Sequence, residues 1–241
     1  CAPCATSYLG GRNFRPRPLD KVVAEIESID NGRLFIVDNS LAQDRDWVRA
    51  LFKAITPLNR KWVSHPIADD PKTLKMAHDA GCWYVYQAII GVSDTIRRRV
   101  EAYKEAGIGI EGTIMLGDDQ HTEQDVLDII EFTCELELDM AEFTVATPFP
   151  HTPYRDQMAA EGRILHDDWE HYTAGEVVIQ PKHMTAERLG ELYTYAWDRF
   201  YGKGGHALKM ARLFAKVVAR ERREARQRAE GGRGWKHPAH A

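Results

Sequence analysis

Residues 78–90, HDAGCWYVYQAII, contain the features that decide the fold. Gly81 stands where a helix would end in a left-handed C-terminal cap. A run rich in apolar and aromatic residues begins directly after it, and such a run suits a strand that is covered on both faces. The stretch therefore predicts the end of a helix and the start of a buried strand.

The same alternation of helix and strand recurs along the chain. Residues Asp70, Ser93 and Thr122 are predicted N-caps of the helices that separate the strands. Strands that alternate with helices form a parallel sheet with right-handed crossovers. We therefore predict an α/β fold, a partial (β/α) TIM-like barrel with a helical C-terminal extension. The apolar runs predicted as strands are 33–39, 61–67, 82–90, 108–116 and 140–148.

The regular alternation ends after Pro148, and this change divides the chain into three regions. We predict the partial barrel over 1–150, an extension that packs on the barrel over 151–202, and a basic helix with a disordered tail over 203–241. The last region holds 11 Lys or Arg against 3 Asp or Glu, in a chain of net charge −4. A basic helix can bind nucleic acid, but no nucleic-acid motif accompanies it, so we expect a solvated helix and no nucleic-acid partner.

Composition narrows the class of protein. No apolar run approaches the roughly 20 residues that span a bilayer, so we expect no transmembrane segment. The chain has four cysteines in 241 residues, too few for a disulfide scaffold. This count favours a reducing compartment, and we predict a cytoplasmic protein.

Polar residues stand at the ends of the predicted strands, where the active site of a βα barrel lies. A buried polar group needs a hydrogen-bond partner, which is either a neighbouring loop or a ligand. Because the pattern repeats at five strand ends, we predict a ligand pocket there. The residues are Asp38 and Asn39, Ser64 and His65, Tyr86 and Gln87, Thr113 and Gly117, and Thr144, Thr147 and Pro148.

Cys1 and Cys4 form a C-x-x-C pair at the start of the chain. The pair alone is compatible with a redox site, half of a zinc site, an iron–sulfur site or no site. The first visible helix begins near Leu19, so the strand expected before it would lie upstream of residue 1. The pair would then follow that strand on the active-site face, a position typical of cluster-binding thiolates.

The pair and its surroundings resemble the radical SAM (S-adenosylmethionine) enzymes, whose signature is C-x-x-x-C-x-x-C after the first barrel strand. Cys1 and Cys4 match the second and third cysteines, and the first would lie four residues before Cys1, so the chain is expected to be an N-terminally truncated fragment. SYLGGRNFRPRPLDKVVAEIE, RLFIVDNSLAQDRDWVRALFKAI and VATPFPHTPYRDQMAAEGRIL are similar to segments of the subgroup with an N-terminal cobalamin-binding domain. This subgroup includes anaerobic magnesium-protoporphyrin monomethyl ester cyclases and cobalamin-dependent radical methylases. The resemblance covers about residues 1–202.

The resemblance implies a [4Fe-4S] cluster bound by Cys1 and Cys4, and reductive cleavage of SAM to a 5′-deoxyadenosyl radical that abstracts hydrogen from an organic substrate. It implies methyl transfer or ring formation linked to cobalamin, which a missing N-terminal domain would bind, and an electron donor such as flavodoxin or ferredoxin. Gln87 stands where many relatives have an acidic residue. The positions that match SAM contacts are Asp38, Asn39, Ser64, His65, Gln87, Thr113 and Thr144.

The substrate is expected to be a small molecule. Tyr84, Tyr86, Phe149 and Trp169 could line a pocket for a planar ring such as a tetrapyrrole, although aromatic residues on strands are more often core. With two of three thiolates, the chain alone is expected to be inactive. Two alternatives stay open: a non-catalytic zinc or redox module at the cysteine pair, and a βα-barrel enzyme with other chemistry.

Overall fold

The computed structural model describes residues 4–11, 13–202 and 205–230. The helices are α1 Thr6–Gly10, α2 Leu19–Ser28, α3 Arg45–Ile55, α4 Pro71–Asp79, α5 Asp94–Glu105, α6 Glu123–Glu135, α7 Pro153–Ala160, α8 Ala186–Tyr201 and α9 Gly205–Glu230. The strands are β1 Arg33–Ile36, β2 Lys61–Ser64, β3 Cys82–Ala88, β4 Gly109–Leu116 and β5 Met140–Val145. Short 3₁₀ turns cover Thr56–Leu58 and Trp169–His171.

The five strands form one parallel sheet in the order β1-β2-β3-β4-β5. Each pair of neighbouring strands is joined by a helix, as expected where a run of apolar residues follows each amphipathic segment. The predicted α/β fold and its parallel sheet are confirmed. Each strand lies inside its predicted run.

Side chains at the starts of the helices explain where those helices begin. The Asp70 carboxylate accepts a hydrogen bond from the Thr73 amide, and the Ser93 hydroxyl accepts one from the Thr95 amide. Thr122 and Asp125 form a reciprocal capping box. These bonds satisfy amides that have no partner within the helix, so the predicted N-caps are confirmed.

Gly81 occupies the turn between α4 and β3 with φ +100°. Its carbonyl accepts a hydrogen bond from the Trp62 amide, which ties the turn to β2. A Cβ at this position would lie 2.0 Å from the carbonyl oxygen of Arg60. The turn therefore needs glycine both for its backbone conformation and for the close approach of the neighbouring strand.

The two faces of the sheet differ in their cover. One face packs against the helices, and its side chains form the main core together with Phe52, which stacks on Trp62 with ring centroids 5.3 Å apart. Alternate residues of the same strands point to the other side, which we call the inner face. The side chains that form the buried face are Trp62, Val85, Ile110, Ile114, Leu116, Phe143 and Val145.

Helix α9 crosses the amino ends of the strands. Arg33 of β1 pairs with Glu221 and Lys61 of β2 with Glu224. Arg220 donates to the carbonyl oxygen of Cys82 at the start of β3. Lys216 pairs with Asp139 beside β5. The predicted basic helix thus covers the end of the sheet opposite to the predicted pocket, and the predicted tail after residue 230 lies outside the described residues.

The segment after β5 packs on the barrel in two places. Helix α8 lies on α6, where Arg188 pairs with Glu123 and Arg199 with Glu131. Asp119, in the loop after β4, accepts hydrogen bonds from Arg163, which lies beyond α7. A second small core joins these parts and contains Ala146, Tyr154, Met158, Tyr172, Val178 and Ile179.

Candidate functional site

The segment that carries Cys4 lies at the carboxyl edge of the sheet. The ring of Tyr8, in α1, stacks on His151, in the loop after β5, with centroids 4.6 Å apart and planes 9° apart. Phe14 meets the edge of Trp47 near the start of α3, which follows β1. Tyr8 and Phe14, which both follow Cys4 in the chain, therefore contact residues that come after the carboxyl ends of β5 and β1, respectively.

Cys4 differs from the other described cysteines in its environment. It is exposed, and a hydrogen bond with the Thr6 side chain lowers the pKa of its thiol. Burial raises the pKa of Cys82 and of Cys134. The thiolate is the form that binds metals, so Cys4 is the described cysteine best suited to ligate one.

The described residues do not complete a metal site around Cys4. Cys1 lies outside them, and within the described ranges no three His, Cys, Asp or Glu side chains come together as a metal-binding group. A soft, exposed thiolate fits an iron–sulfur cluster as one ligand of several. The donor chemistry of Cys4 is therefore suitable for one cluster ligand, and the described part of the chain does not supply a complete ligand set.

Three of the predicted SAM-binding residues share the inner face. Thr113 of β4 and Thr144 of β5 alternate with core residues, and His65 follows β2 and contacts Tyr86 with ring centroids 5.4 Å apart. The Thr144 hydroxyl donates to the Ile114 carbonyl oxygen, 3.3 Å away. The hydroxyl lone pairs of both threonines remain available to accept hydrogen bonds from a ligand.

Ser64 and Gln87 face the helices instead. They are 0% and 3% exposed, respectively. The Ser64 hydroxyl donates to the His65 carbonyl oxygen and the Gln87 amide nitrogen to the Ala88 carbonyl oxygen. The Gln87 Oε1 atom is buried without a partner among the described residues. The structure thus does not place these two side chains with Thr113, and their contact with SAM stays a prediction.

Asp38 and Asn39 lie in the loop after β1, at the open edge of the site. Both are exposed, and their side chains make no hydrogen bond within the described part of the chain. Asp38 lines a cavity of about 440 Å³ together with Phe14, Phe35 and Trp47. This carboxylate is free to bind a cationic group.

The remaining strand-end residues have local roles. The Thr147 hydroxyl donates to the Val145 carbonyl oxygen, and the Pro148 carbonyl oxygen accepts from Arg155. Trp169 packs against Tyr172. The Arg155 guanidinium carbon lies over the Trp169 ring, 4.7 Å from the ring centroid. The ring contacts of Trp169 are therefore within the C-terminal extension, and Phe149 has no ring contact within the described residues.

Sequence reasoning missed three residues of the inner face. Phe35 joins Tyr86 and His65, and Glu111 and Glu142 stand on β4 and β5 on the same face. Glu111 could have been found, because it is a carboxylate at the same strand parity as Thr113. Burial, followed by the charge of Glu142, raises the pKa of Glu111 to about 7.

This raised pKa makes the stability of the chain depend on pH. Between its usual value of 4.5 and about 7, Glu111 keeps a proton in the folded state that the unfolded state releases. The Glu111 contribution to the free energy of unfolding therefore falls as the pH rises through this window. Glu111→Gln is expected to be more stable than the parent by about 1 kcal/mol near pH 8, after allowance for partial exposure, with little difference near pH 4.

Urea unfolding at a series of pH values measures this difference. Glu105→Gln, at an exposed site on α5, is the control and should follow the parent at every pH. Parallel stability profiles for Glu111→Gln and the parent would contradict the assigned environment.

Comparison with known proteins relates this geometry to a class of enzyme. No protein-family model matches the chain. An uncharacterized methyltransferase from Pyrococcus horikoshii is 26% identical over 222 residues, which cover 83% of this chain and 48% of that protein. The anaerobic magnesium-protoporphyrin IX monomethyl ester cyclase of Cereibacter sphaeroides is 23% identical over 80% of this chain and 35% of that protein. The chain spans about half or less of the length of these relatives.

Comparison of structures shows a similar fold. The fold is similar to that of a radical S-adenosylmethionine methyltransferase, TsrM from Kitasatospora setae, whose structure holds cobalamin and a [4Fe-4S] cluster. The TM-score is 0.55 at 16% identity, over 83% of this chain and 47% of that one. The expected resemblance to radical SAM methyltransferases and cyclases is confirmed. In the described part of the chain, no helix has the length and apolar character of a membrane span.

Proposed function

We propose that this chain is the catalytic barrel of a radical SAM enzyme. The observation that carries the proposal is the exposed Cys4, with a lowered thiol pKa, on a segment stacked against the carboxyl edge of the sheet. When bound, a [4Fe-4S] cluster with SAM would supply the one-electron chemistry that cleaves SAM to a 5′-deoxyadenosyl radical, which would abstract hydrogen from the substrate. Cys1 and Cys4 would ligate the cluster, together with one further cysteine.

The residues of the inner face would bind and orient SAM. The exposed Asp38 carboxylate is placed to pair with the methionine ammonium group, with Asn39 beside it. Thr113 and Thr144 can accept hydrogen bonds from the adenine amino group. Phe35, His65 and Tyr86 form an aromatic wall that would help to keep water from the reacting atoms.

The reaction type is proposed as methyl transfer or ring formation on a small organic molecule. The names of the two relatives, a methyltransferase and a cyclase, support this choice. Cobalamin would be bound by a segment outside this chain, since the structural relative binds it together with its cluster. Electrons would come from a reduced flavodoxin or ferredoxin.

The test is the formation of 5′-deoxyadenosine. The chain is expressed with an upstream segment that includes a cysteine four residues before Cys1, reconstituted anaerobically with iron and sulfide, reduced, and given SAM. We expect 5′-deoxyadenosine with the upstream segment and none above background for the chain beginning at Cys1, because a cluster with one ligand missing is labile. A folded protein that binds zinc in place of iron and leaves SAM intact would contradict the proposal.

A further inference from the structure

Four aromatic side chains form a continuous surface on the inner face, which we call the aromatic platform: Phe35, His65, Tyr84 and Tyr86. The Phe35 ring stacks on Tyr86 with centroids 5.6 Å apart, and the Tyr84 ring meets Tyr86 edge to face at 5.6 Å. Phe35 remains 49% exposed. A partly exposed array of rings on the open side of a sheet can stack on a planar ligand.

Two carboxylates border the platform. Glu111 is the register partner of Tyr86 on the neighbouring strand, and Glu142 is the register partner of Thr113 on the strand after that. Register partners in a parallel sheet lie about 4.8 Å apart and point to the same face. The platform and the two carboxylates therefore form one surface, with rings on β1, on β3 and directly after β2, and with carboxylates on β4 and β5.

Neither carboxylate has a cationic partner among the described residues. No ion pair or hydrogen bond involves the side chain of Glu111 or Glu142 in that part of the chain. The basic groups that line the adjoining cavity, Arg33 and Lys61, are paired with Glu221 and Glu224 of α9. Helix α9 thus neutralises the cations at this end of the sheet and leaves the two carboxylates unmatched.

Helix α9 also covers this surface at the amino ends of the strands. Its residues Met210, Leu213 and Phe214 line a cavity of about 310 Å³ whose other wall includes Tyr84 and Glu111. A half-buried carboxylate beside apolar groups is unfavourable unless a cation or a hydrogen-bond donor joins it. A bound ligand that carries such a group would relieve this cost and would fill the cavity between α9 and the sheet.

We propose that the inner face binds a planar aromatic or heteroaromatic substrate that carries a protonated nitrogen, with the ring stacked on the aromatic platform and the nitrogen facing Glu111 and Glu142. Rings attract a cation through their faces, and a carboxylate strengthens that preference by a charge-assisted hydrogen bond. The inference rests on the proposed function only in treating this face as the substrate side of the barrel. The surface selects charge as well as shape, and it disfavours planar anions.

The experiment compares two probes of equal ring size and opposite charge. Binding of 4-aminoquinoline, a cation at neutral pH, and of quinoline-4-carboxylate is measured by isothermal titration calorimetry on the full chain without a cluster. We expect the cation to bind about tenfold more tightly than the anion, a ratio typical of one charge-assisted contact. This measurement needs neither SAM nor iron, so its failure and a failure of SAM cleavage are distinguishable.

Three variants locate the binding. Glu111→Gln should weaken binding of the cation by about fivefold or more and reduce the preference over the anion. Tyr86→Leu should weaken both probes, because both stack on the ring. Glu105→Gln, on the outer surface of α5, should change neither. Circular dichroism checks that each variant is folded.

The unmodified chain alone can overturn the proposal. Equal or tighter binding of the anion, or no binding of either probe, would do so whatever the variants show. A cation preference that survives Glu111→Gln unchanged would also overturn it, because the selectivity would then arise elsewhere on the chain.

Discussion

Replacing Cys4 with alanine is expected to remove the iron–sulfur cluster and to lower SAM cleavage by about a hundredfold or more. Loss of a group that only supports a metal ligand costs roughly 10- to 100-fold in affinity or activity, so loss of a direct ligand should cost at least as much. Cys4 is the described cysteine with an exposed thiol of lowered pKa. The variant is measured in the form with the upstream cysteine, by iron content and by the yield of 5′-deoxyadenosine.

Cys134→Ser is the matched control. Cys134 lies half-buried in α6, and burial raises the pKa of its thiol, so it should not bind iron. The control should keep the iron content and SAM cleavage of the parent. If the Cys4 variant also keeps both, the cluster is not bound where we place it.

Gly81→Ala is expected to lower the free energy of unfolding by about 3 kcal/mol or more. Its φ of +100° is unfavourable for any residue with a Cβ, and the new Cβ would lie 2.0 Å from the Arg60 carbonyl oxygen. To relieve that overlap, β2 and β3 would have to separate where the Trp62 amide donates to the Gly81 carbonyl. The change in the free energy of unfolding is measured by urea unfolding. The slope of free energy against urea concentration should be the same for the parent and the variant.

Gly190→Ala provides the comparison. Gly190 lies within α8, and apart from its chain neighbours and the nearby backbone of that helix nothing lies within 4 Å of a Cβ placed there. Alanine at such a site should stabilise the chain by about 0.5–1 kcal/mol, because it favours the helix. If Gly81→Ala were as stable as Gly190→Ala, the turn could not have the described conformation.

The strands and most helix starts could be predicted because their causes are local. Gly81 and the next N-cap, Ser93, bound an apolar run on both sides, so the strand has to lie between them. The N-cap bonds span two or three residues, and they formed where short polar side chains precede the apolar faces. These features need no knowledge of distant contacts.

The division of the site between two faces could not be predicted from strand ends alone. Ser64 and His65 are neighbours, yet one faces the helices and the other contacts Tyr86. Because β1, β2 and β3 have apolar or aromatic residues at both parities, their hydrophobic pattern does not tell which face is open. The contact between Tyr8 and His151 joins residues far apart in the chain and has no local signal.

The place of α9 depends on distant partners in the same way. Its basic residues predict a solvated helix when the sequence is read alone. Their partners, Asp139 and the carbonyl oxygen of Cys82, are far away in sequence. Only the fold shows that these charges cover the amino ends of the strands.

The most direct test of a radical SAM barrel is the electron paramagnetic resonance spectrum of the reduced, reconstituted protein with and without SAM. The measurement uses the chain extended upstream to include the expected first cysteine of the motif. We predict the signal of a reduced [4Fe-4S] cluster that changes when SAM is added, because SAM would bind the iron that lacks a cysteine ligand. A folded protein with no iron, or a cluster whose spectrum does not respond to SAM, would contradict this assignment.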